Sequence, residues 1–117
     1  MSTESLKATE AECAEGRTAP RVSLADLEAN IATQAYFTAG EAGDAIGIPT
    51  HPAAKLLTIC ILTVRNGFTL VGKSAPASAD NFDAELGRKL AYEDAVRQLW
   101  PLMGYALRER LSQESAA

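Results

Sequence analysis

Two apolar runs dominate the middle of the chain. Residues 56–64 (LLTICILTV) are apolar or β-branched throughout, and residues 67–73 (GFTLVGK) form a second, shorter run. Runs of this length and composition read as strands. Asn66-Gly67 lies between them. Both residues tolerate positive φ, so the pair suits a type I′ turn, and a β-hairpin over 56–73 is expected. In the first strand Ile59, Cys60, Ile61, Leu62 and Val64 leave neither face polar. Such a strand is covered on both sides. Either further strands come from the 36–50 region, or a second subunit completes the core.

The flanks carry helical patterns. Leu24, Leu27 and Ile31 recur at helical spacing, and Ser23 with Asp26 forms a capping box in its Asp variant. A short amphipathic helix is expected there, ending before Tyr36 and Phe37. Residues 38–54 contain Gly40, Gly43, Gly47, Pro49 and Pro52 and read as a long loop, with a short extended piece at 36–38. After a small-residue loop over 73–79, Ser78 or Asp80 can cap a helix that starts near Phe82 or Asp83. That helix should run to about Leu99. Pro101 predicts a kink or break at Trp100–Pro101, with a last helix over about 102–112. At about 100° per residue, Gly87, Ala91, Ala95 and Leu99 share one stripe flanked by Tyr92 and Val96. Small residues at that spacing let another backbone approach closely. Residues 1–22 are rich in Ser, Thr, Glu and Ala without periodicity and read as a flexible tail. The expected organisation is a disordered tail over 1–22, one α+β domain over 23–112 and a short disordered tail over 113–117.

Composition narrows the function classes. With 117 residues, 47% of them hydrophobic, the chain makes one small packed domain. A formal net charge of −4 argues against general binding to DNA, RNA or anionic membranes, which needs a basic face. It leaves room for a small anion in a local basic pocket. Cys13 and Cys60 lie in a polar tail and an apolar strand, so no structural disulfide is expected. Together with the single histidine, His51, they match no zinc spacing. No apolar stretch reads as a signal segment or membrane span, and a reduced, cytosolic protein is expected.

Candidate chemistry is sparse. Arg88 falls inside the packing stripe of the long helix. A guanidinium there is costly unless paired, and two partners suit it: a carboxylate such as Glu85, or an anionic ligand. Phe82 is either a hydrophobic staple before the helix or a platform on which a base stacks. Asn81 is either a local cap or a reader of an adenine or ribose edge. Trp100 and Tyr105 read as core residues, His51 as a turn residue, Arg65 as an exposed hairpin tip and Arg97 as solvated. Asp80, Asp83 and Glu85 complement the dipole of the helix they begin, and so count against a phosphate at that end. Neither GxxxxGK[ST] nor GxGxxG occurs. No nucleophile with a base and no carboxylate pair stands out, so no enzyme activity, cofactor or metal is expected.

Several motifs follow one another in order: Leu57-Thr58, Cys60, Leu62, Asn66-Gly67-Phe68, Gly72, Ser74, Asn81-Phe82-Asp83, Gly87-Arg88, Ala91, Trp100, Leu102, Gly104-Tyr105 and Leu107, with His51-Pro52 upstream. In this order and spacing they resemble the family of short tailed-phage proteins named for gene product forty-nine and gene sixty-six, over about 36–111. Pro76 stands where many relatives have Cys, which rules out a functional cysteine at that position here. More distantly, the pattern resembles phage anti-defence sponge proteins that counter the Thoeris system. The resemblance implies oligomers that sequester cyclic ADP-ribose-type signals, and in some cases cyclic oligonucleotides, between subunits. It also implies ligand-binding roles for Asn81, Phe82 and Arg88.

The expectation is therefore an α+β fold, with a small antiparallel sheet packed on two or three helices and completed by homo-oligomerisation. The leading functional expectation is a non-enzymatic phage or prophage protein of the bacterial cytoplasm. It would sequester a small cyclic nucleotide-type signal, with Phe82 stacking the base, Asn81 bonding it or its ribose, and Arg88 holding phosphate. The alternative is a protein–protein interaction module acting on a host or phage protein. A third reading, a small hydrolase of the same messengers, lacks a base and a water-activating group.

Overall fold

A computed structural model describes residues 4–16 and 19–116. The fold is α+β. Helix α1 (Glu4–Ala14) and helix α2 (Leu24–Asn30) precede strand β1 (Ile31–Thr38), helix α3 (Ala39–Ile46) and a 3₁₀ turn over Pro52–Leu56. Strands β2 (Thr58–Val64) and β3 (Thr69–Ser74) follow, then a 3₁₀ turn at Ala79–Asn81 and the long helix α4 (Ala84–Ala116). The three strands form one antiparallel sheet in the order β1-β2-β3.

The hairpin forms where expected, but its turn differs. Among the described residues no non-glycine has positive φ, and Gly67 alone in the loop does, at 91°. Gly67 N–H bonds the Val64 carbonyl at 2.9 Å, and Val64 N–H bonds the Phe68 carbonyl at 3.0 Å. This is a three-residue loop in which a right-handed turn is closed by a left-handed glycine. Asn66 contributes its side chain instead, accepting from Phe68 N–H at 2.9 Å.

The third strand arises from residues assigned above partly to helix and partly to loop. The Ser23–Asp26 capping box is present, yet α2 stops at Asn30. From Ile31 the chain pairs with β2, through Tyr36↔Cys60 to Thr38↔Thr58. Strand pairing overrides a helical pattern that rested on Ile31 alone. The segment over 38–54 is likewise not all loop. Thr38 caps α3 and Glu41 closes a second capping box, while Gly47 ends the helix at φ 73°. Gly40 and Gly43 are buried because a side chain at either would strike the Lys55 backbone or the Ile48 carbonyl.

Helix α4 covers one face of the sheet. Ala91, Tyr92, Ala95, Val96 and Leu99 bury against Cys60, Leu62, Val64 and Leu70. The small-residue stripe does what its spacing suggests: Gly72 of β3 lies against the backbone of Ala91 and Ala95, and Gly87 lies against Thr58. The expected break at Pro101 does not occur, and α4 is one helix of 33 residues. Pro101 and Arg97 are both exposed, so the carbonyl that loses its partner faces water. Trp100 holds the helix through this point by donating from Nε1 to the Val22 carbonyl at 3.1 Å. The helix also replaces the disordered tail expected from 113, as far as residue 116, and Tyr105, expected in the core, is 71% exposed.

Residues 4–16 and 19–22, expected in a tail, are not simply one. In α1, Leu6 is 1% exposed, Ser5 donates to Glu93 Oε2 at 3.0 Å, and Arg97 donates to Ser5 at 2.8 Å. Glu10 accepts from Arg21 at 2.7 Å and from Leu24 N–H at 3.0 Å. One leucine and a few polar contacts dock this helix, which is why no periodicity announces it. Residues 1–3 and 17–18 lie outside the described residues.

The opposite sheet face has less cover. Register puts Phe37 beside Ile59, and Ala35, Ile61 and Val71 in one row. Ile59 and Ile61 are half-buried, and Val71 is 52% exposed.

Candidate functional site

The first turns of α3 and α4 meet over the ends of β1 and β2. Between them lies a cavity of about 400 Å³. Tyr36 and Phe37 reach it from β1, Thr58 from β2 and Phe82 from the loop before α4. Arg88 enters from α4 and Lys55 from the end of the 3₁₀ turn. Glu41 and Thr38, the capping pair of α3, complete the wall.

Local sequence explains how Phe82 and Arg88 are presented. Asp83 is the N-cap of α4: its Oδ1 accepts from Leu86 N–H at 3.1 Å, and its carbonyl accepts from Gly87 N–H at 2.8 Å. Phe82 therefore occupies the position whose usual partner lies one turn on, at Gly87. Glycine has no side chain to meet it, so the staple cannot form, and the half-buried ring lines the cavity instead. Arg88 follows Gly87, which is pressed to Thr58 so closely that a Cβ would lie 2.7 Å from Oγ1. That contact brings the first turns of α4 down onto the sheet and points the next residue across the cavity.

Arg88 forms no ion pair with another described residue, Glu85 included. Its charge is felt by Glu41. The Thr38 backbone N–H, then the Thr38 hydroxyl, then Arg88 hold that carboxyl below its ordinary range. Among the described residues Lys55 forms an ion pair only with Asp44, at 3.4 Å, with both side chains about two-thirds exposed. A pair like this holds neither partner firmly. Two cations and one carboxylate thus face the cavity beside three aromatic rings. Tyr36 donates to Gln34, and burial, then the neighbouring Cys60, push its hydroxyl well above the ordinary value. Burial likewise raises the Cys60 thiol. Both groups are neutral at physiological pH.

Of the three residues singled out by sequence, Phe82 and Arg88 share this cavity. Asn81 does not. It is exposed and lines a neighbouring hollow of about 300 Å³ with Ser74, Leu86 and Leu90. Phe82 and Thr58 form the wall common to both. Sequence reasoning missed Tyr36, Phe37, Thr38, Glu41, Lys55 and Thr58. Two signals pointed to them: Lys55 is the only basic residue between Arg21 and Arg65, and Thr38 with Glu41 spells a capping box inside the glycine-rich stretch. His51 takes the turn role expected, its Nδ1 accepting from Ala53 N–H at 3.0 Å.

Among the described residues no group of three His, Cys, Asp or Glu side chains could hold a metal ion, and no helix is long and apolar enough to cross a membrane. No curated protein and no solved structure matches the chain. A family model does match residues 22–111, which span the sheet, the cavity and most of α4. The chain belongs to the phage protein (N4 Gp49/phage Sf6 gene 66) family.

Proposed function

We propose that this phage-family protein binds and sequesters a small nucleotide-type signal, of the cyclic ADP-ribose or cyclic oligonucleotide class, without turning it over. The observation that carries this reading is the pairing of Arg88, a half-buried residue whose guanidinium has no ion-pair partner among the described residues, with the unstapled ring of Phe82 in one cavity. Guanidinium groups hold phosphate through paired, charge-assisted hydrogen bonds. Aromatic faces stack bases. Tyr36, Phe37 and Lys55 enlarge both components. Asn81, one wall away, reaches a ligand only where it passes around Phe82. Neutral Tyr36 supplies no base, and the cavity's carboxylate, Glu41, is committed to the Thr38 N–H at 2.8 Å, which favours capture over hydrolysis. Partnership with a second copy fits the thinly covered sheet face. It also fits a radius of gyration of 17.3 Å, against about 13 Å for a compact chain of this length.

Calorimetric titration with cyclic ADP-ribose isomers and cyclic dinucleotides tests the reading. Arg88→Ala should weaken binding by about thirtyfold, the loss of roughly 2 kcal/mol of charged hydrogen bonding. Phe82→Ala should weaken it by about tenfold through lost stacking. The ligand should be released unchanged on heating. A folded wild-type protein that binds none of the panel sinks the proposal.

A second reading, a module that docks on another protein, is favoured by Leu86 and Leu90. They are 46% and 42% exposed and border the hollow that holds Asn81. It predicts a stoichiometric protein partner lost on Leu86→Asp and Leu90→Asp, with nucleotide binding absent.

A further inference from the structure

The other end of α4 carries a second cluster of cations that the first cavity does not use. We propose that the groove between α2 and the C-terminal half of α4 binds a small organic anion. Its phosphate or carboxylate groups are held by Arg21, Arg65 and Arg110, and its apolar body lies on Met103 and Leu107.

The groove measures about 680 Å³, within the range of small-molecule sites. Its arginines come from three separate segments: Arg21 ahead of α2, Arg65 at the hairpin tip and Arg110 on α4. Arg21 gives one terminal nitrogen to Glu10 at 2.7 Å, while its buried Nη1 has no hydrogen-bond partner among the described residues. A buried donor of this kind calls for an acceptor. Arg65 is oriented by its Nε, which donates to the Ala29 carbonyl at 2.6 Å. Among the described residues Arg110 forms an ion pair only with Glu114, an exposed one at 3.7 Å. The one carboxylate lining the groove, Asp26, is committed to the Ser23 N–H at 2.9 Å. Asp26, Glu10 and Glu114 formally balance the three arginines. Binding therefore rests on directed guanidinium bonds and the apolar floor, rather than on a long-range field.

The site is independent of the cavity around Arg88. Arg88 and Arg110 stand about 33 Å apart along one continuous helix, at ~1.5 Å per residue. One small ligand cannot touch both.

The test uses 1-naphthyl phosphate, with 1-naphthol and inorganic phosphate as controls, titrated into the full chain at physiological ionic strength. Binding is followed by calorimetry and by backbone amide shifts. Saturable binding that moves the amides of Ala29, Met103 and Leu107 is expected. It should weaken at least about tenfold in Arg110→Gln and in Arg65→Gln, as lost charged hydrogen bonds dictate, and persist in Arg88→Gln. Arg110 is exposed and its substitution should leave the melting temperature unchanged. No saturable binding overturns the proposal. So does binding that Arg88→Gln abolishes while Arg65→Gln and Arg110→Gln leave it intact, because the probe then sits in the first cavity. Equal binding of 1-naphthol overturns it too, since the arginines then play no part.

Discussion

Replacing Gly72 with alanine tests the tightest of the glycine positions, one at which α4 sits on the sheet. A Cβ at Gly72 would overlap the Ala91 carbonyl oxygen and lie 2.6 Å from Ala95 N and 2.9 Å from Ala95 Cβ. Ordinary contacts of this kind sit near 3.5–4.0 Å. Two of the three obstructing atoms are helix backbone, which cannot rotate aside as a side chain can. The helix must lift by about 1 Å, loosening the packing of Ala91, Ala95 and Val96, all 0% exposed. Overpacking of this order costs about 3 kcal/mol, a large share of the ~5–15 kcal/mol that holds a small domain together. In urea, with m near 2 kcal/mol/M, the midpoint should fall by about 1.5 M at unchanged m. Ala95→Gly in the same chain removes only the Cβ–Cβ conflict, so it should restore part of the loss. An unfolding midpoint within about 0.2 M of wild type for Gly72→Ala would mean that the sheet and helix are not in backbone contact there.

Other expectations follow from the same contacts. Pro101→Ala should stabilise the protein by about 1–3 kcal/mol in thermal or urea melts, since it restores a helix-interior hydrogen bond at an exposed position; destabilisation would show that the ring is needed. Stability should show a plateau between acid and alkali. Glu10, Asp26 and Glu41 have folded values below their ordinary ones, through Arg21, Ser23 and Thr38 respectively. Their contribution is whole above the ordinary carboxylate value near 4 and is lost as pH falls through the folded values. The Cys60 thiol and the Tyr36 and Tyr92 hydroxyls are raised by burial, so their contribution is whole below about 9 and fades as pH rises. A melting temperature that climbs as pH falls below 4 would contradict the first sign, and one that climbs as pH rises above 9 would contradict the second. A thiol reagent should modify Cys13 quickly and Cys60 only on unfolding, giving one fast equivalent per native chain.

The parts of the fold that were legible in the sequence are those whose local signals agree with their tertiary partners. The hairpin, the Ser23 cap and the glycine–alanine stripe of α4 are of this kind. Pro101 was misleading because its cost depends on which way the helix faces, and that is decided by Trp100 and Val22, 78 residues apart in sequence. Strand β1 was hidden because Ile31 fits a helix and a strand equally well, and pairing with β2 settles the choice. Helix α3 was legible in Thr38 and Glu41, but three glycines masked it; two of them serve close packing rather than looping. The same blindness affected the site. Phe82 and Arg88 carry local anomalies, a staple without a partner and a charge on a packing stripe, and both could be singled out. Tyr36, Phe37 and Lys55 have no local anomaly. They reach the cavity only because β1 pairs with β2 and α3 folds over its end.

The uncovered sheet face sets a condition on any second copy. Three strands about 4.8 Å apart, with six residues rising about 3.3 Å each, present roughly 300 Å² in projection. A stable interface needs about 800 Å² from each partner. Sheet-on-sheet contact alone therefore falls short, and an oligomer must recruit neighbouring apolar surface. Phe37 supplies the link: it shares the open face with Ile59 and also a shallow apolar patch with Ala42, Ala45 and Ile46 of α3. Ile46 is 69% exposed and Ile48 is 55% exposed, so the patch extends beyond the sheet edge. Both Val71→Asp on the sheet and Ile46→Asp on α3 should then convert an oligomer to monomer in sedimentation experiments, because neither half is large enough alone. Val71→Asp dissociating the assembly while Ile46→Asp leaves it intact would confine the interface to the strands and show the area reasoning to be wrong. A wild-type protein that sediments as a monomer at micromolar concentration would mean that the sheet face stays open to solvent. The cavity would then have to retain its ligand with the residues of one chain.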